Sequence, residues 1–560
     1  MLQLRAREGP DNSRRGQQGQ RAENGIELSM RQRLHGRRPG GRLLVLFAAG
    51  LIAALLSGIL ASQAVAQDCT DQFTPKLDSD WGTAGNWSKQ SPPTSSDVAC
   101  WASGTTAVVS SNDTTATAKA LEGGNLTISG GSLTLAGPEG STIASFTESG
   151  GSLDGPGALT LSGTFSWSGG NISVKSALAI TQTSGQTFSI GGKNTPILGG
   201  GSISTASPVS ITNTNFAAYK YTSDSTLSTT STATFAPGTY PGGSALAITA
   251  PAFVTTGDTG IGSSLHLTDS KSSLSGTLSA LSLSVDAGST LSLPTGGGVS
   301  VQGGAISGTI TGKGTYKLTG GSTTTIASGA TLSPDNVTVS GGTLSVNSAA
   351  TYATAGTTTV SGGTLNLGPA ASIGNLTETA GALNGPGSLG VSGNFSWTGG
   401  YISVGTAIDI TQTGGGTFSI AGTGSPVLGG GKIDTSSDIA VSNTNLYCAG
   451  YTGNASVITT GTVTFAPGNY SGCFNPTITA AGYITTDNTT FGGTLTQTAS
   501  LSSLAGTLTA ATFNLDQNTT LTLPTGAALS VQGGTISGTI TGKGTYKLTG
   551  GSTTTIASGA

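Results

Sequence analysis

The chain has 560 residues, 91 of them Gly and only 8% charged, with a net charge of −3; an ordinary soluble domain is about a quarter charged and about 7% Gly. So much Gly, Ser and Thr excludes a coiled coil or helix bundle, and the lack of a strict three-residue glycine period excludes collagen. A hydrophobic content of 35% beside so little charge is not the composition of charge-driven disorder either.

The charge is unevenly placed. All ten Arg lie between Arg5 and Arg42, and from Gln67 onward 12 Lys face 21 Asp and Glu, a net charge of −9. Scattered lysines without Arg cannot build the basic stripe that nucleic-acid binding needs. The first element in chain order, residues 1–66, reads as a basic leader and signal peptide. Arg37, Arg38 and Arg42 precede an apolar run from Leu43 to Leu60, and Ala64-Val65-Ala66 follows with small residues. That order predicts export with cleavage between Ala66 and Gln67. Met30 is an alternative start that leaves a leader of more usual length. The rival reading is an uncleaved anchor, because 18 apolar residues can span a bilayer; it gives the chain its one route to a membrane. Either way the body lies outside the cell.

Residues 67–119 read as a small Trp-rich cap. Cys69 and Cys100 flank Trp81 and Trp87, and Trp101 follows directly. An even cysteine count in an exported chain predicts disulfides, Cys69–Cys100 and Cys448–Cys473. Metal ligation is disfavoured: no Cys-x-x-Cys occurs, and His266 is the only His after the leader.

The body is duplicated. Residues 141–330 return as 371–560, each position shifted by 230. GALTLSGTFSWSGGNISV from Gly157 becomes GSLGVSGNFSWTGGYISV from Gly387, and Val301–Ala330 returns as Val531–Ala560 with the single change of Ala305 to Thr535. The domain reading is therefore a first copy over 120–350 and a second over 351–560. The second stops where the first runs on through Thr331-Leu332-Ser333, so either the sequence is a fragment or its end is uncapped. Cys448 aligns with Ala218 and Cys473 with Gly243. Both thiols are present in one copy and both absent from the other, as a bonded pair requires.

A shorter beat runs inside the long one. Gly-Gly pairs recur at Gly130, Gly150, Gly169, Gly303, Gly341 and Gly362, with alternating runs such as Leu159-Thr160-Leu161 between them. Period two with β-branched residues means strand, and glycine pairs supply tight corners. Short strands with corners, in coils of about 20 residues, describe an all-β fold: a single-stranded parallel β-helix, or β-solenoid, of roughly 22 coils. Like charges stacked about 5 Å apart would repel, which accounts for the Ser and Thr. A string of β-sandwiches is the competing fold; it would need linkers about every 100 residues.

The phrase GPGALTLSGTFSWSGGNIS, with its copy GPGSLGVSGNFSWTGGYIS, resembles the repeats of large secreted bacterial β-helix proteins, among them adhesins and autotransporter-passenger-like surface proteins. Asp80–Cys100 (DWGTAGNWSKQSPPTSSDVAC) is similar to the Trp-rich module that often opens such repeats. The resemblance covers most of residues 78–560. It implies a right-handed parallel β-helix on or outside the cell surface.

Chemistry is sparse. Only two acidic positions recur between the copies, Glu148 with Glu378 and Asp286 with Asp516. They read as solvated corner carboxylates, too far apart to form the paired acids of a glycosidase. His266 reads as a lone surface histidine. Trp167 and Trp397, each two residues after a Phe, could stack on sugars or fill a wide corner. Lys313 and Lys317, repeated as Lys543 and Lys547, could meet an anionic glycan or be solvated turn lysines. No cofactor is expected. The leading expectation is an exported, non-catalytic rod that is adhesive or structural, with surface glycans or other cell-surface polymers as partners. The alternatives are a carbohydrate-active β-helix enzyme, a lyase or glycosidase, and an ice- or mineral-surface binder using Thr arrays.

Overall fold

Alternation sets the building unit. In the strand Ala158–Leu161, Leu159 and Leu161 are buried while Ala158 and Thr160 are half-exposed. Side chains on a strand point alternately to its two sides, so one side fills an interior and the other meets water. The computed structural model describes residues 68–560 except 77, 184, 242, 244, 245, 271, 449, 474 and 475. The leader and the Ala66–Gln67 bond lie outside the described residues.

Each coil has three faces. Ala158–Leu161 lies on the first, Phe165–Trp167 on the second and Gly170–Ile172 on the third; Ala179–Gln182 then returns to the first. The returning strand pairs in parallel, with Ile180 between Leu159 and Ile203. On the second face Phe188 lies between Phe165 and Val209. On the third, Ile172 lies between Leu153 and Leu198. The rest of the coil is the crossover that any parallel pair requires. Every pairing between the described strands is parallel, and the coils number about 23 at about 20 residues each. The fold is the expected β-solenoid. The described residues from 68 to 560 form one compact unit, and the ladders run through 119–120 and 350–351 unbroken. Beads joined by linkers are excluded for the described residues.

The interior is a column of stacked aliphatic and aromatic side chains. Phe165 and Phe188 stack with ring centroids 4.3 Å apart and planes 6° from parallel; their counterparts Phe395 and Phe418 repeat this at 4.4 Å and 10°. Each such side chain contributes about 1.5–3 kcal/mol on burial. Polar side chains tie adjacent coils at repeated places. The Tyr240 hydroxyl donates to the Ile211 and Ala236 carbonyls, and Tyr470 does the same to Val441 and Ala466. Buried Thr205 donates to Gln182 Oε1, and Thr435 repeats this with Gln412.

The Trp-rich segment begins the column. Asp71–Gln72 pairs in parallel with Val98–Cys100, which pairs in turn with residues 120–122. Trp81 and Trp87 meet at 4.8 Å, and Trp87 Nε1 donates to the Trp81 carbonyl. Cys69 and Cys100 are bonded, as are Cys448 and Cys473 on adjacent coils.

The two copies do not superpose by translation along the column. The ladder through Leu159 and Ile180 passes Ile203, Leu227 and Ile248, then Leu283, Leu344 and Leu383, and arrives at Ile402. Ile402 is the counterpart of Ile172, which in the first copy sits on the third face, not the first. The repeat therefore spans eleven coils and one further face, and the second copy is turned by one face about the axis.

Candidate functional site

The lysines are exposed; Lys313, Lys317 and Lys547 lie in strands, and Lys543 sits at a bend between two. Lys313 and Lys317 lie in the strand Thr309–Leu318, whose pairing with the next coil shifts register between Gly312 and Thr315. Lys317 is in register with Ser300 below and Thr338 above. With Gly296–Ser300 and Asn336, the two lysines line a surface groove of about 290 Å3. Lys547 occupies the matching rung beside Ser530, and Lys543 lies between two strands. In the first copy the TGKG string looks like a turn, yet its backbone continues the ladder through a bulge.

The tryptophans face the other way. Trp167 is 0% exposed and Trp397 1% exposed, so neither can touch a glycan. Trp167 packs edge-on against Phe165 and Phe216. The Phe-x-Trp spacing does place both rings on one side of a strand; that side is the interior.

Beside each tryptophan lies one of the two recurring glutamates. Trp167 is in register with Glu148 and Trp397 with Glu378. Both carboxyl groups are 0% exposed, which overturns their reading as solvated corner residues. Burial pushes Glu148 well above the usual carboxylate range, the Asn171 N–H on Oε1 at 3.0 Å opposes the shift, and Asp154 adds to it. Burial pushes Glu378 up to about 9. Glu378 is therefore a neutral acid at neutral pH, and Glu148 is shifted in the same direction. The corner is shaped to hold them: a Cβ on Gly170 would stand 2.4 Å from Glu148 Oε1, and one on Gly400 2.1 Å from Glu378 Oε1. Both glycines also have positive φ, 93° and 84°, which side chains resist.

Two of the three acids that alternate with Asn between the copies prove to be acceptors for a backbone N–H; the third, Asp224, pairs with Lys220 instead. Asp154 Oδ1 accepts from Lys175 N at 2.7 Å, and Asn384 Oδ1 from Gly405 N at 2.9 Å. Asp258 and Asn488 accept from Thr277 and Thr507, each at 2.8 Å. One oxygen suffices, so charge is dispensable. His266 is not alone: its Nε2 meets Asp286 Oδ1 at 2.7 Å on the exposed surface. Glu148 and Asp286 lie some 30 Å apart at about 4.8 Å per coil. Among the described residues, no three His, Cys, Asp or Glu side chains gather as metal ligands.

What the sequence reading missed is a set of tyrosines. Among the described residues, the exposed aromatics are Tyr219, Tyr221, Tyr401, Tyr447 and Tyr451. All lie on the third-face strands of their copy or the corner that follows. Tyr219 and Tyr221 meet at 5.7 Å. Tyr401 and Tyr447 stand on outward rungs two coils apart, with Val427 in register between them. Comparison of the copies held the signal: Tyr401 replaces Asn171 and Tyr447 replaces Ala217.

No protein-family model, no curated protein and no solved structure matches this chain.

Proposed function

We propose that the protein is an exported, non-catalytic surface rod that holds other molecules on its faces, as an adhesive or structural element. The observation that carries this is the unbroken column itself. Parallel rungs repeat at about 4.8 Å and present rows of hydroxyls, as where Ser282 donates to Ser264 at 2.8 Å and Thr181 meets Ser204 at 3.2 Å. A repeating wall of short uncharged side chains suits extended contact with a polymer. The two disulfides fit an oxidising compartment, and the basic-apolar-small leader fits export.

The test is location. An antibody raised against residues 68–560 is expected to label intact producing cells or their medium, and external protease is expected to remove the cell-bound signal. Signal confined to the cytoplasmic fraction would refute the reading.

A further inference from the structure

We infer that the third-face strands of the second copy form a binding platform for a neutral, β-linked polysaccharide lying parallel to the column axis. Tyr401 and Tyr447 are its stacking rungs, and Tyr451 stands at its corner. This inference rests on the surface-rod reading above and names a ligand class for it.

The first support is spacing. Tyr401, Val427 and Tyr447 are consecutive register partners on three coils, so the two rings stand about 9.6 Å apart, twice the rung spacing. That is close to the length of a disaccharide unit in an extended β-linked chain, so each ring meets every second sugar. Tyrosine presents a flat apolar ring and a polar tip, which suits the apolar face and hydroxyl rim of a pyranose. Tyr401 is 48% and Tyr447 38% exposed, while Val427 between them is covered at 8%. The platform is thus two exposed rings with a filled floor between them.

The second support is charge, and the repeat supplies the control. In the second copy the segments that build this face and its corners, 398–408, 423–431 and 444–455, contain no charged residue. The matching segments of the first copy contain Lys175, Lys193, Lys220 and Asp224, and there Lys220 pairs with Asp224 at 3.0 Å. Four charged positions are neutral in the copy that carries the two added tyrosines. A face without charge complements a neutral chain, and the cation that follows it, Lys432, is already paired with Asp434 at 2.8 Å. The first copy, with Asn171, Ile197 and Ala217 on the same rungs, shows that the backbone does not need the tyrosines.

The experiment uses the full chain and titration calorimetry with cellohexaose, xylohexaose and mannohexaose, and polygalacturonate as the anionic comparison. The wild type is expected to bind at least one neutral hexaose. Tyr401→Asn and Tyr447→Ala, which install the residues of the first copy, are expected to weaken binding about tenfold or more. Tyr401→Phe, which keeps the ring, is expected to retain it. Failure of the wild type to bind any neutral hexaose, tighter binding of polygalacturonate, or undiminished binding by both truncating variants would overturn the inference. Labelling of intact cells scores the surface-rod reading separately. A labelled surface with no sugar binding removes the platform alone, and sugar binding by a protein confined to the cytoplasm removes the rod reading alone.

Discussion

Glu148 and Glu378 carry the clearest consequence at the scale of a residue. Burial raises both above the ordinary carboxyl value of 4.5 that they regain when unfolded, Glu378 to about 9. Between pH 4.5 and about 9 folded Glu378 therefore keeps a proton that the unfolded chain has lost. Stability from Glu378 is fully present below pH 4.5 and declines as pH rises toward 9, and Glu148 acts in the same sense. Asp97 works in the opposite sense and another window. A hydrogen bond from Lys89, then one from Thr94, hold it down to about 2, so its contribution is lost only as pH falls from the ordinary carboxylate range toward that value. Glu378→Gln should raise the melting temperature at pH 8, by an amount on the order of a few kcal/mol in stability. It should leave the melting temperature nearly unchanged at pH 4.5. Melting curves at the two pH values check this, and an equal effect at both would count against a neutral buried acid. Alternation in the sequence marks which residues share a side of a strand but not which side is the interior. Trp167 and Glu148 were for that reason open to being placed on the surface. The Asp–Asn exchanges were legible as loss of charge, but not as preservation of one acceptor oxygen.

The coil is the element, and its neighbours decide its stability. The Cys448–Cys473 bond joins two adjacent coils at a place where the first copy manages with Ala218 and Gly243. Gly243 approaches so closely there that a Cβ would lie 1.8 Å from the Ala218 carbonyl. Cys448→Ala with Cys473→Gly should therefore fold, while losing about 2–4 kcal/mol of local stability. Hydrogen exchange should show the loss in the coils around 440–480 and little change in the coils around 340–360. Loss of protection along the whole column would instead mean that the bond holds the fold together globally. The pairing itself was legible, because both cysteines are missing from the other copy. Coil length was legible too, from the glycine beat. The Lys313 strand was not, because a bulge and a turn use the same small residues.

For the column as a whole, the repeat length and the coil length do not match, and the mismatch turns the second copy by one face. Equivalent surfaces of the two copies therefore point in different directions, some 54 Å apart along the axis at about 4.8 Å per coil. A single flat plane of ice or mineral would meet the matching threonines of only one copy at a time. None of this could be read from the duplicated sequence, since the register of eleven coils has to be summed before the rotation is visible. All of it depends on the coils forming one uninterrupted stack. Small-angle X-ray scattering from residues 67–560 tests that stack directly. A continuous column of about 23 coils should give one rod-like profile, with a constant cross-section and a longest dimension of about 110 Å. A profile of several compact bodies separated by flexible joints would contradict it.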